Sequence, residues 1–238
     1  MGNKRFREID FARGAAILMM VLFHFAWDLN YFGVTQVSLY TGLWGVFQKA
    51  TVSLFLFITG VVLAVNHYRK KEGYARYAIG RGAKIFGAGL IITAITLVFF
   101  PGEFVYFGIL QLIGVSAVIS IPIAGNRSAA FATALAAFAL PALVDIRSMG
   151  IVPLVWLGFA VPFPTIDFQP VFPWFGMVAL GISAGTLIYE NGKRKFALEV
   201  GNGRISRAIQ ALGRNSLGAY IMHQGILFPA AYIISLMP

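Results

Sequence analysis

The chain has 238 residues, of which 58% are hydrophobic and only 12% charged, a balance that excludes a soluble domain with a solvated surface. Its net charge of +10 sits between the apolar runs, where it reports membrane orientation and argues against nucleic-acid binding. The lack of cysteine excludes disulfides, thiolate metal sites and a cysteine nucleophile.

Several apolar runs of about 18 to 25 residues are long enough to cross a bilayer as helices, and they lack the alternation of a membrane barrel. The expected fold is an all-α transmembrane bundle with seven spans, at 9–29, 45–65, 83–100, 104–123, 128–144, 170–189 and 217–236, in a single domain covering 1–238. The basic start and first apolar run have no small-residue cleavage site after them, so the first span reads as a retained helix. A shorter apolar piece at 150–162 ends in Pro-Phe-Pro and reads as re-entrant or interfacial. With the N-terminus cytoplasmic, segments 1–13, 66–84, 124–128 and 190–216 lie on that side and hold every one of the 19 basic residues except Lys49 and Arg147. The C-terminus is then extracytoplasmic, in the cell membrane. Glycines inside the spans, among them Gly82, Gly89, Gly181 and Gly185, are expected at close helix contacts.

In the first span, Asp10 and Arg13 stand at the inner interface as an ion pair whose arginine is also able to meet a phosphate. Eleven residues further on, roughly 16 Å deeper, comes His24, with Asp28 one turn beyond it on the same face. An imidazole and a carboxylate inside a span are costly and are functional candidates by default. They suit a proton relay, a metal ligand, an oriented general base, or a polar contact between helices. The spacing of His24, His67 and His223 matches no metal motif, so no metal is expected. His67 is expected at the interface, and His223 lies on one face of the last span with Ser216 and Tyr220. The basic segments, with Arg81, Lys84 and Arg214, form a cationic rim suited to a polyanionic donor or to anionic membrane lipids. On the outer side, Asp167, Gln169 and Trp174 combine a carboxylate, an amide and an aromatic ring, as a sugar-binding mouth requires.

Five segments in order, REIDFARGAAILMMVLFHFAWDLNYF, SLFLFITGVVLAV, YFGILQLIGVSAV, TIDFQPVFPWFGMVALGISAG and ALGRNSLGAYIMHQGIL, resemble the heparan-α-glucosaminide N-acetyltransferase catalytic-domain family of the transmembrane acyltransferase superfamily. The Arg-Gly start followed by a histidine also resembles acyltransferase type 3 enzymes. Both resemblances imply transfer from a cytoplasmic acyl-CoA, acetyl-CoA among them, to a hydroxyl or amine of a glycan or lipid-linked sugar. His24 matches the first-span catalytic histidine of the type 3 enzymes, and Arg13 matches their arginine near the donor. The animal N-acetyltransferase has Asn at the His24 position and its catalytic histidine in the following loop. Here residues 30–45 hold no histidine, which favours a site centred on His24.

The expected catalytic residues are therefore His24, Asp28 and His223, with Asp28 orienting the His24 ring. Donor contacts are expected from Arg13, Arg81, Lys84, Gln111, Arg214 and Asn215, and acceptor contacts from Asp167, Gln169 and Trp174. A homodimer is left open. The alternative reading is a small proton- or ion-coupled transporter using His24 and Asp28.

Overall fold

A computed structural model describes residues 5–144, 150, 152–160, 164–196 and 200–237. Lys4, Arg147 and parts of the 150–162 piece lie outside the described residues. Among the described residues the architecture is helical. Its long helices are α1 (Arg7–Tyr31), α2 (Gly42–Lys70), α3 (Tyr74–Phe99), α4 (Ile109–Ile119), α5 (Arg127–Leu143), α6 (Val171–Ile188), α7 (Arg204–Arg214) and α8 (Ser216–Ser235). The 150–162 piece contributes a short 3-10 helix, Val152–Leu157.

Among the described residues, four helical stretches are long and apolar enough to cross a membrane: Arg7–Tyr31, Gly42–Phe99, Val171–Ile188 and Ser216–Ser235. The second is 58 residues long and is divided into α2 and α3 by the turn Lys71–Gly73, where Lys71 takes a φ of 47°. α4 and α5 are shorter, at 11 and 17 residues. At 1.5 Å per residue α4 covers only about 16 Å, half of a hydrocarbon core. The expected span over 104–123 is thus helical only in its middle. Outward rows of Leu90, Ile91, Ile95, Val98 and Phe99 on α3, and of Ile221, Met222, Ile226 and Ile233 on α8, leave large apolar side chains exposed. Lipid tolerates such rows where water does not.

The chain divides into two compact units, Met1–Phe55 with Leu198–Pro238, and Leu56–Ala197. The first unit is built from α1, the start of α2, α7 and α8, with α1 packed on both α7 and α8. Its loop after α1 is closed by Asn30, whose amide oxygen accepts from Val37 N at 2.8 Å while its nitrogen donates to Val37 O at 2.9 Å. The second unit pairs α3 with α4 and α5 with α6. The later half of α2 also meets α6 through bare backbone. A Cβ on Gly60 would lie 2.0 Å from Val178 O, and one on Gly181 2.1 Å from Phe57 O, so these surfaces touch only because both positions are glycine.

Two of the basic segments expected between spans carry helix. α3 begins at Tyr74 and carries Arg76, Arg81 and Lys84, and 190–216 contains α7. Arginine and lysine are good helix formers, and alternating charge with Ile205, Ile209 and Leu212 makes α7 amphipathic.

Candidate active site

In the first unit, α1 presents His24 and Asp28 to α8, which presents His223 and Gln224. The imidazoles of His24 and His223 meet edge to face, with ring centroids 4.8 Å apart. Asp28 is fully buried, at 0% exposure, and its Oδ1 accepts a 2.6 Å hydrogen bond from Gln224 Nε2. The sequence places His24 and Asp28 on one face, but the carboxylate's partner is Gln224 of the facing helix. It is not His24.

His223 Nδ1 lies against the Tyr220 carbonyl oxygen one turn earlier. A carbonyl only accepts, so Nδ1 carries the proton and Nε2 keeps its lone pair. That Nε2 is buried with no hydrogen-bond partner among the described residues, as are Asp28 Oδ2 and Gln224 Oε1. The rings of Phe23 and Tyr220 flank the two histidines, Phe23 at 6.0 Å from His24 and Tyr220 at 5.4 Å from His223. The cluster is therefore two adjacent imidazoles, one with an assigned free base nitrogen, beside a carboxylate–amide pair in an apolar wall. Such a group is equipped to take and hold a proton.

At the other end of α1, Asp10 is buried and interacts electrostatically with Arg13, Arg5 and Arg214. α7 reaches this point through two glycines. A Cβ on Gly213 would lie 1.8 Å from Asp10 O, and one on Gly14 2.0 Å from Ile209 O. Arg7 fastens the same contact, donating to Gln210 Oε1 at 3.1 Å. Two of the expected donor contacts, Arg13 and Arg214, thus gather around one carboxylate. A third, Asn215, joins α7 to α8 and donates to Ala211 O at 3.3 Å.

The remaining expected residues belong to the second unit. Arg81 and Lys84 are exposed on α3. Gln111 is 2% exposed; its nitrogen donates to Thr93 Oγ1 at 2.9 Å and its oxygen accepts from Gly108 N at 3.1 Å. Asp167 receives Ile109 N at 3.2 Å and Gln169 Nε2 at 3.1 Å, so Gln111 and Asp167 satisfy neighbouring donors at the start of α4. Burial pushes the Asp167 carboxyl above its ordinary range, against the pull of those two hydrogen bonds. Gln169 also bonds through its backbone, N to Phe107 O at 2.8 Å, while Trp174 is half-buried in the first turn of α6.

Gln224 is absent from the residues singled out by sequence. An amide beside His223 in an apolar helix is the same signal that marks His24, a polar group where hydrocarbon is expected.

Apolar membrane-length helices enclosing two imidazoles and a buried carboxylate define a membrane protein with an internal polar site. Residues 5–225 match the family model described as heparan-alpha-glucosaminide N-acetyltransferase, catalytic, and the chain belongs to that family of N-acetyltransferases. The match runs through both units. No curated protein and no solved structure matches the chain.

Proposed function

We propose that the chain is a multi-pass enzyme of the cell membrane that moves an acetyl or other acyl group from cytoplasmic acyl-CoA to an amine or hydroxyl of a glycan or lipid-linked sugar. Family membership supports the reaction class, and the His24–His223 contact inside the first unit is the observation that carries the residue assignment.

In this reading the whole chain works as one domain with seven crossings, α7 lying along the cytoplasmic face, the N-terminus cytoplasmic and the C-terminus extracytoplasmic. The excess of basic residues in the segments assigned inside supports this orientation. Acyl-CoA places its phosphates against cationic side chains of the first unit, Arg13 and Arg214 at Asp10. Its thioester extends toward His24. The acceptor N–H or O–H gives its proton to His24 as its nitrogen or oxygen attacks the thioester carbonyl, forming the new C–N or C–O bond. The C–S bond then breaks, and the CoA thiolate leaves with a proton. His223 Nε2 holds the lone pair needed to share the proton His24 receives. Asp28, one turn beyond His24 on α1, is assigned the role of stabilising the positive charge formed on the imidazoles.

The test is transfer of radiolabelled acetyl from acetyl-CoA to an amino sugar by the purified protein in detergent. Transfer by wild type and its loss in a folded His24→Ala variant is the expected result. Full turnover in His24→Ala removes His24 from catalysis. A rise in Tm with CoA, with no such rise for an adenine nucleotide lacking the pantetheine arm, checks the donor separately.

A further inference from the structure

The buried atoms without partners at the α1–α8 contact share one chemical character. Asp28 Oδ2, Gln224 Oε1 and His223 Nε2 are all acceptors. Gln224 has its orientation set by donating Nε2 to Asp28 Oδ1, so its other amide atom is the carbonyl oxygen. His223 has its tautomer set by the Tyr220 carbonyl. A buried acceptor without a donor loses its hydration with no return. None of the described residues places a donor within hydrogen-bond distance of these atoms, which leaves them open to donors on a bound molecule.

Spacing narrows the ligand further. Oδ2 and Oε1 each share a carbon with one atom of the 2.6 Å hydrogen bond. They are therefore no more than about 7 Å apart, and two donors on neighbouring atoms of a small ring reach both.

We propose that Asp28 and Gln224 form a two-acceptor clamp that reads a hydroxyl adjacent to the group being acylated. This rests on the acyl-transfer reading above and adds to it a pair of specificity-determining residues. The imidazoles take the proton of the reacting group, and the clamp receives the neighbouring hydroxyl, which fixes the attacking atom beside the thioester. An acceptor that lacks the hydroxyl leaves one of the two buried oxygens unsatisfied, the other being met by the second N–H of the reacting amine, and an unmet buried acceptor is how polar sites reject such analogues.

Two amines that differ only in this hydroxyl, trans-2-aminocyclohexanol and cyclohexylamine, separate the possibilities. Acetyl transfer from acetyl-CoA is measured as kcat/KM for each, and binding of each amine is measured by calorimetry without donor. Wild type is expected to favour the amino alcohol by about tenfold or more. Gln224→Met, which keeps the volume and removes the amide, and Asp28→Asn, which keeps Oδ1 and replaces Oδ2 with a donor, are expected to bring the ratio within about twofold of one. The KM for acetyl-CoA stays unchanged in Gln224→Met, while Asp28→Asn, which also removes a catalytic charge, is read by the ratio alone. Tm identifies a variant that fails to fold, in which case the wild-type preference decides alone. Transfer by wild type without preference, or a preference untouched in both folded variants, overturns the clamp and leaves acyl transfer standing; water then satisfies these oxygens. Preferential binding with no transfer to either amine keeps the clamp and overturns acyl transfer. Neither binding nor transfer overturns both.

Discussion

Two buried polar clusters, one in each unit, are built from similar side chains and end in opposite states. At the start of α4, Gln111 donates to Thr93 and accepts from Gly108, while Asp167 accepts from Ile109 N and from Gln169. Each group there has a partner, and the result ties a helix terminus to a loop. Between α1 and α8, Asp28 and Gln224 use one atom each on the other and leave the second without a partner. A satisfied network contributes to folding, whereas an unsatisfied one withholds stability that a ligand later recovers. The difference separates a structural polar cluster from a candidate site, although both contain a carboxylate and an amide.

The sharpest way to break this comparison is His24→Ala. It should lower acetyl transfer by about 10²- to 10⁴-fold, the range of a lost general base, with Tm nearly unchanged, as followed by label transfer and a melting curve on the same preparation. A large fall in Tm with transfer retained per folded molecule would instead make the α1–α8 contact structural. Gln111→Leu probes the opposite cluster. It strips two hydrogen bonds and leaves Gly108 N–H buried without a partner, so it should cost about 1 to 3 kcal/mol of stability in a denaturation curve. A variant of normal stability with a raised KM for acetyl-CoA would place Gln111 at the donor instead.

Gly213→Val tests the contact that brings Arg214 to Asp10. A side chain there meets Asp10 O, so α7 must move off α1, at a cost of about 1 to 3 kcal/mol. The KM for acetyl-CoA should rise with the loss of Arg214, while discrimination between acceptors stays the same. The smallest effect concerns Asp167. Because its folded carboxyl sits above the ordinary value of 3.8, the folded chain holds that proton more tightly than the unfolded chain does. Its contribution to stability is fully present below that ordinary value and declines as pH rises through the raised one. Tm measured against pH should therefore shift in favour of Asp167→Asn across that window and run parallel to wild type above it.

Much of the helical frame was legible because hydrocarbon imposes a simple rule: a long run without charges becomes a helix. α1, α6 and α8 fall within two residues of the spans read at 9–29, 170–189 and 217–236. Between these lie the arginine- and lysine-rich segments expected outside the spans. Charge locates the membrane surface but does not stop a helix, and so α3 starts nine residues before the expected 83. α4 starts inside its expected span for the converse reason: apolar residues at 104–108 lie beside 165–169, where Phe107 bridges to Phe168, before the helix begins.

The sequence by itself determined that this is a helical membrane protein, and that His24 and Asp28 share a face deep in the first span. Composition and periodicity are local properties, and the cost of a polar residue in hydrocarbon is felt residue by residue. Only the tertiary structure decided which partners those residues have. His24 meets His223 and Asp28 meets Gln224 across nearly the whole chain, contacts between residues about 200 positions apart that no local pattern encodes. It also decided that Gln111 and Asp167, identical in type to the site's amide and carboxylate, are consumed in holding α4, because hydrogen-bond satisfaction depends on what the fold brings within reach.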